Sequence, residues 1–123
     1  EGEEPIVAGD PNLLRIMIEN LIRNAEKHAS PGGVVEIEAQ ADDGQLIVQV
    51  RDDGPGIPPE FLDKVFERGF RIPRPQTGRG AGLGLAITRA IARLYGGEVF
   101  ASNRPSGGCE FSIRLPRVCS RLS

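Results

Sequence analysis

The spacing of hydrophobic residues changes along the chain, and each change marks an element. Ile6-Val7-Ala8 is a short apolar run that predicts a strand. Leu13, Met17 and Leu21, with Leu14, Ile18 and Ala25, recur at helical spacing, so residues 11–29 read as an amphipathic helix. Asp10-Pro11 in front of them supplies an N-cap and a proline at the first helical position, and Ser30-Pro31-Gly32-Gly33 ends the helix. Val35, Ile37 and Ala39 then alternate with Glu36, Glu38 and Gln40, the pattern of a strand with one wet face. Asp43-Gly44 signals a hairpin, and Leu46-Ile47-Val48-Gln49-Val50 follows as a more buried strand. A short helix is predicted at 59–66 and a loop at 69–82, where no apolar period survives. Leu83, Ile87, Ala90, Ile91 and Leu94 restore helical spacing up to Tyr95, and Gly96-Gly97 closes that helix. Val99 and Ala101, then Phe111, Ile113 and Leu115, form a last hairpin around Pro105-Ser106-Gly107-Gly108. This order is neither a βαβ repeat nor all-β. It predicts an α/β (α+β) two-layer sandwich: a mixed sheet of about five strands, covered on one face by about three helices.

The length of 123 residues, 39% of them hydrophobic, supports one core and one domain over 1–123. No apolar run approaches the ~18 residues of a membrane span, the acidic N-terminus is unlike a signal peptide, and the abrupt start at Glu1 reads as a fragment of a longer protein. One histidine and two cysteines, Cys109 and Cys119, without CxxC spacing, argue against a zinc site or a serine–histidine triad.

Charge adds a stronger signal than these. Residues 1–67 hold 15 acids and 5 bases, or −10, whereas 68–97 hold 6 bases and no acid, or +6. Seven of the 16 glycines fall between positions 54 and 84. A basic, glycine-rich segment points to an anionic partner, with phosphate the leading candidate.

Four motifs then carry candidate chemistry. Gly80-Ala81-Gly82-Leu83-Gly84-Leu85 runs into a helix, where backbone N–H groups and the helix N-terminus can cradle phosphate. It is neither a Walker A loop nor the dinucleotide G-x-G-x-x-G. Asp52-Asp53-Gly54-Pro55-Gly56 follows a buried strand, and a carboxylate there suits an exocyclic amine such as that of adenine. Taken alone, it reads as an ordinary strand-ending turn. Asn20, Asn24, Lys27 and His28 share one helix face, where amide carbonyls suit a hard cation and a lysine suits phosphate. His28 reads as an orienting or packing residue. In Phe66-Glu67-Arg68-Gly69-Phe70-Arg71, two arginines stand just before the loop and within reach of phosphate oxygens.

Taken in this order, the motifs resemble the ATP-binding catalytic domain of bacterial two-component sensor histidine kinases, which shares a superfamily and the Bergerat ATP-binding fold with DNA gyrase, heat-shock and mismatch-repair ATPases. Asn20-Leu21-Ile22-Arg23-Asn24-Ala25 looks like the N box, Asp52 to Pro58 the G1 box, Phe66 to Arg71 the F box and Gly80 to Leu85 the G2 box. Gly107-Gly108-Cys109-Glu110-Phe111 resembles the last glycine-containing strand pair, so the likeness covers about 6 to 116. The resemblance implies ATP and Mg²⁺ as cofactors, with Asn24 as metal ligand and Asn20 nearby. It implies Asp52 as acceptor of the adenine amine, with Gly54, Gly56 and Ile57 walling and opening room for the base. Gly80, Ala81, Gly82, Leu83, Gly84 and Leu85 would serve the phosphates, residues 70–81 would be an ATP lid, and Arg68 or Arg71 would reach the γ-phosphate. Gly69 departs from the pattern, standing where many F boxes carry a second aromatic residue.

The gyrase-type ATPases place a glutamate four residues before the metal asparagine. Here that position is Asn20, and Glu19 lies about 100° around the helix. The implication is slow hydrolysis and a γ-phosphate kept for transfer to a histidine outside this chain, so the fragment holds no catalytic nucleophile and does not autophosphorylate alone. Implied partners are the phosphoacceptor and dimerisation domain of the parent and a response regulator downstream, with no nucleic acid. The implied setting is a cytoplasmic domain of an inner- or plasma-membrane sensor, tied to the membrane only by segments outside this sequence. A serine kinase or ATPase of the same superfamily, and a non-catalytic nucleotide-binding regulatory module, stand as alternatives.

Overall fold

The computed structural model describes residues 5–7, 10–42, 44–72 and 83–119. The elements run β1 (Pro5–Val7), α1 (Pro11–His28), β2 (Glu36–Asp42), β3 (Gln45–Arg51), two single-turn 3₁₀ helices (Pro59–Phe61 and Lys64–Phe66), α2 (Gly84–Leu94), β4 (Glu98–Asn103) and β5 (Cys109–Cys119). The α1 start follows from its sequence. Asp10 is extended and its carboxylate accepts from the Asn12 N–H at 2.8 Å, while Pro11 fills a position whose N–H would have no helical partner. Met17, Leu21 and Ala25, four residues apart, are the buried stripe of this helix.

β5 is the centre of the sheet. One of its edges carries β3, which in turn carries β2; its other edge carries β4 along Cys109–Arg114 and β1 along Arg117–Cys119. All of these pairings are antiparallel, which corrects the expected mixed sheet. The reason is topological. β3 and β4 are joined through α2 and run in the same direction, as a crossover requires, but β5 inserts between them and pairs with both. The two-layer sandwich of the sequence reading is the observed architecture. The expected third helix at 59–66 resolves into two 3₁₀ turns. Eight residues are too few for a helix to stand on its own hydrogen bonds, so the packing of Val65 and Phe66 sets the path instead.

Register decides which strand residues meet the helices. Val48 opposes Ile113, Val50 opposes Phe111 and Val99 opposes Ile113, and all are buried beneath α1 and α2. The alternate positions form a polar outer face, where Arg51 bridges Glu38 at 2.9 Å and Glu110 at 3.2 Å. Phe66 meets Phe111 edge-on, with centroids 6.1 Å apart and planes at 88°. Phe70 packs on Phe61 at 5.4 Å, so the segment keeps an aromatic contact without one at Gly69. Gly69 has a φ of +80°, a backbone shape that a second aromatic residue would adopt only with strain. Arg89 lies over the Phe66 ring at 5.3 Å and 3.4 Å from Glu98, joining the 3₁₀ turn, α2 and β4. Arg93 also bonds Glu98 at 2.9 Å.

Two measurements test this packing. Phe111→Ala removes the ring on which the sheet and the 3₁₀ turn converge, and is expected to cost about 3–5 kcal/mol in denaturant unfolding. Burial raises the Glu98 pKa, but the bonds from Arg93 and the Val99 N–H, with the charges of Arg93 and Arg89, outweigh it and hold the carboxyl below its usual value of 4.5. A depressed folded value stabilises above the unfolded value and stops doing so as pH falls through the folded one. The stability gap between wild type and Glu98→Gln is therefore expected to be present at pH 7 and to close below about pH 4, followed by urea unfolding across pH.

Candidate functional site

The acidic turn is tied to distant segments at several atoms. Asp52 follows directly after β3 and is only 1% exposed. A carboxylate at that depth needs donors. Gly54 N–H reaches Oδ1 at 2.9 Å and Cys109 N–H reaches the same Oδ1 at 3.3 Å. The Asp52 backbone is tied as well: its N–H donates to the Cys109 carbonyl at 2.9 Å, and its carbonyl accepts from Arg104 Nη1 at 2.9 Å. Both donors to the carboxylate go to Oδ1, so among the described residues Oδ2 is the acceptor left for a ligand. The same burial, followed by the charge of Asp52, pushes the Cys109 thiol up to about 12, which keeps it a neutral, unreactive neighbour.

The glycines of this turn also meet packing demands from distant elements. A Cβ on Gly54 would fall on the His28 carbonyl, so this residue is small to let α1 approach. Gly56 has a φ of +80° and a Cβ there would press on Asn103 Oδ1 at 2.8 Å. Asn103 in turn acts as a piece of backbone. Its Oδ1 accepts from the Ile57 N–H at 2.8 Å and its Nδ2 donates to the Ile57 carbonyl at 2.7 Å. Ile57 is buried in the core cluster. Nothing local in the sequence marks Asn103 or Arg104 for these roles, since they reach back 46 and 52 residues.

On the helix side, Asn20, Asn24, Lys27 and His28 are all partly buried on α1. Asn20 lies against the first residue of α2: a Cβ on Gly84 would stand 3.6 Å from its carboxamide. The N box and the end of the G2 box are therefore neighbours. Asn20 Oδ1 accepts from Arg23 at 3.2 Å, whereas the Asn24 carboxamide has no hydrogen bond among the described residues. Gly84 opens α2 with no acidic residue in the first turn, and among the described residues no side chain caps its first N–H groups. Thr88 closes the next turn by donating to the Gly84 carbonyl at 2.9 Å. Leu83 is half-buried, and Leu85 packs on the core.

Arg68 and Arg71 are exposed at the end of the F-box segment. Gly80, Ala81 and Gly82, and the part of the expected lid beyond residue 72, lie outside the described residues. Among the described residues no group of three His, Cys, Asp or Glu side chains could hold a metal. A divalent cation here would need few protein ligands and many from phosphate and water, the habit of Mg²⁺. The asparagine carboxamides fit that requirement. No described helix is long and apolar enough to cross a membrane.

The described structure thus sets an antiparallel sheet under two helices, a buried aspartate at the end of β3, and an asparagine-bearing helix against the start of α2. The family model for histidine kinase-, DNA gyrase B- and HSP90-like ATPases matches residues 9–118, and the chain belongs to that family. It is 42% identical over 110 residues to the signal transduction histidine-protein kinase AfsQ2 of Streptomyces coelicolor, covering 88% of this chain and 20% of that protein. It is 41% identical to the sensor histidine kinase component HK1 of Mycobacterium tuberculosis, covering 89% of this chain and 64% of that protein. The chain thus spans between a fifth and about two thirds of the length of these relatives. Among solved structures, the mycobacterial sensor histidine kinase MprB matches with a TM-score of 0.82 and 35% identity, over 90% of this chain and 76% of that one. Full-length ShkA in complex with AMPPNP matches with a TM-score of 0.82 and 31% identity, over 97% of this chain and 24% of that one.

Proposed function

We propose that this domain binds Mg-ATP and donates the γ-phosphate to a histidine on a separate phosphoacceptor domain of a longer sensor kinase. The observation that carries the reading is the buried Asp52 carboxylate, whose Oδ1 is occupied by two backbone donors while Oδ2 remains to accept from the exocyclic amine of adenine. Ile57 supplies an apolar wall for the base, and Gly54 and Gly56 shape the turn beside it. Asn24, with Asn20 beside it, would hold the magnesium ion, which supplies charge neutralisation across the phosphates. Lys27 adds a point charge toward the same groups. The uncapped start of α2 at Gly84, continued by the glycine segment before it, receives phosphate oxygens through backbone N–H groups. Arg68 or Arg71 meets the γ-phosphate from the F-box side.

The chain's single histidine is set in α1, with its backbone carbonyl packed against Gly54, which favours a nucleophile brought by another domain. Asn20, in place of a glutamate, lacks a base for activating water, which favours transfer over hydrolysis. The names of the relatives support the same reading, since AfsQ2 and HK1 are both called histidine kinases. A response regulator would then accept the phosphoryl group downstream.

Asp52→Asn exchanges the anionic acceptor for a neutral one and is expected to weaken Mg-ATP binding by about 10- to 100-fold in calorimetry; near-normal affinity would refute the adenine assignment. Incubating the domain with labelled ATP and a matching phosphoacceptor domain is expected to place acid-labile label on the acceptor histidine. Label on serine, or rapid phosphate release without acceptor, would overturn the histidine-kinase reading.

A further inference from the structure

Asp53, the second acid of the turn, faces away from Asp52's task. Its Oδ1 accepts from the Ser30 N–H at 3.1 Å and its Oδ2 from the Val34 N–H at 3.3 Å, while its backbone carbonyl accepts from the Ser30 hydroxyl at 3.0 Å. The loop it grips is itself folded back, with the Gly33 N–H on the Ser30 carbonyl at 2.7 Å. Gly33 has no room for a side chain, because a Cβ would fall on the Asp53 carboxylate. One residue further on, Gly54 presses on the His28 carbonyl at the last turn of α1. On the Mg-ATP reading, the joined segments belong to the phosphate and the adenine halves of the site. Residues 30–34 leave the helix that bears Asn24, Lys27 and His28, and Asp53 adjoins the adenine-side Asp52.

We propose that Asp53 is a positioning residue that fixes the phosphate-side helix relative to the adenine-side turn, so that one nucleotide can engage both at once. This rests on the reading of the site as one for Mg-ATP. A ligand spanning both sides gains from their fixed separation, because the second contact is made within a pre-set geometry. A ligand that touches one side gains nothing from it. Local hydrogen bonds at an exposed loop contribute modestly to global stability, so the effect belongs in the coupling of the two ligand halves rather than in folding.

The test compares three probes on the intact domain: Mg-ATP, adenosine and Mg-pyrophosphate, each titrated by calorimetry or NMR. Asp53→Ala is expected to raise the Mg-ATP dissociation constant about tenfold while those of adenosine and Mg-pyrophosphate stay within about twofold. Asp53→Asn keeps one acceptor oxygen and is expected to fall between, at about threefold. Ser30→Ala removes only the hydroxyl bond to the Asp53 carbonyl and gives the same comparison if Asp53→Ala does not fold. Unchanged Mg-ATP affinity, or a parallel loss for all three probes, overturns the proposal and leaves the nucleotide reading intact. Failure of the wild-type domain to bind Mg-ATP overturns both.

Discussion

The arrangement depends on the burial of one carboxylate. Asp52 sits at 1% exposure at the end of a core strand, and such a group is tolerated only where hydrogen bonds replace the water it has lost. Those bonds come from the adjoining turn at Gly54 and from Cys109, the first residue of β5 and 57 residues away, while Arg104 ties the Asp52 carbonyl. Meeting that requirement brings the end of β3 and the β4–β5 hairpin together, and the end of α1 packs on the same turn at Gly54. Gly108 shows how close the approach is, since a Cβ there would fall on the Asp52 carbonyl. The Cys109 thiol is held neutral by the same burial and the same charge. Stability and site geometry are therefore the same problem at this turn, and side chains that brace it are also those that shape it.

The sheet supplies the rigid frame for this convergence. β5 inserts between the two strands of the crossover, so it carries hydrogen bonds on both edges while its Phe111, Ile113 and Leu115 fill the helix-covered face. Phe111 then reaches the 3₁₀ turn through Phe66, and Arg89 links that turn to α2 and β4. The F-box segment is anchored through these contacts despite lacking a second aromatic residue at position 69. The polar outer face, with Arg51 between Glu38 and Glu110, leaves the helix-covered face as the place where the candidate residues gather.

The elements were largely legible because their causes are local. The four-residue spacing of Met17, Leu21 and Ala25, the Asp10 cap, the alternation before Gln40 and the Gly96-Gly97 stop each act within a few residues. The candidate groups stand out in the sequence for the same reason, since Asn20 with Asn24, and Asp52 with its glycines, form short patterns. The fate of 59–66 was less legible, because a segment of that length takes the shape its packed side chains impose.

What the sequence alone determined, then, was the succession of elements, the two-layer class and the residue types offered for a candidate site. Only the tertiary structure decided that every described strand pair is antiparallel, that Gly54 is small for the sake of the His28 carbonyl, and that Asn103 and Arg104 hold the turn. It also decided that the neighbouring acids divide their work, Asp52 turned inward and Asp53 gripping the loop after α1. The physical reason is the span of the contacts. Asp52 and Cys109 are 57 residues apart, Ile57 and Asn103 are 46, and Ser30 and Asp53 are 23. No periodicity or motif reaches that far, because such partners are chosen by the closing of the chain on its core.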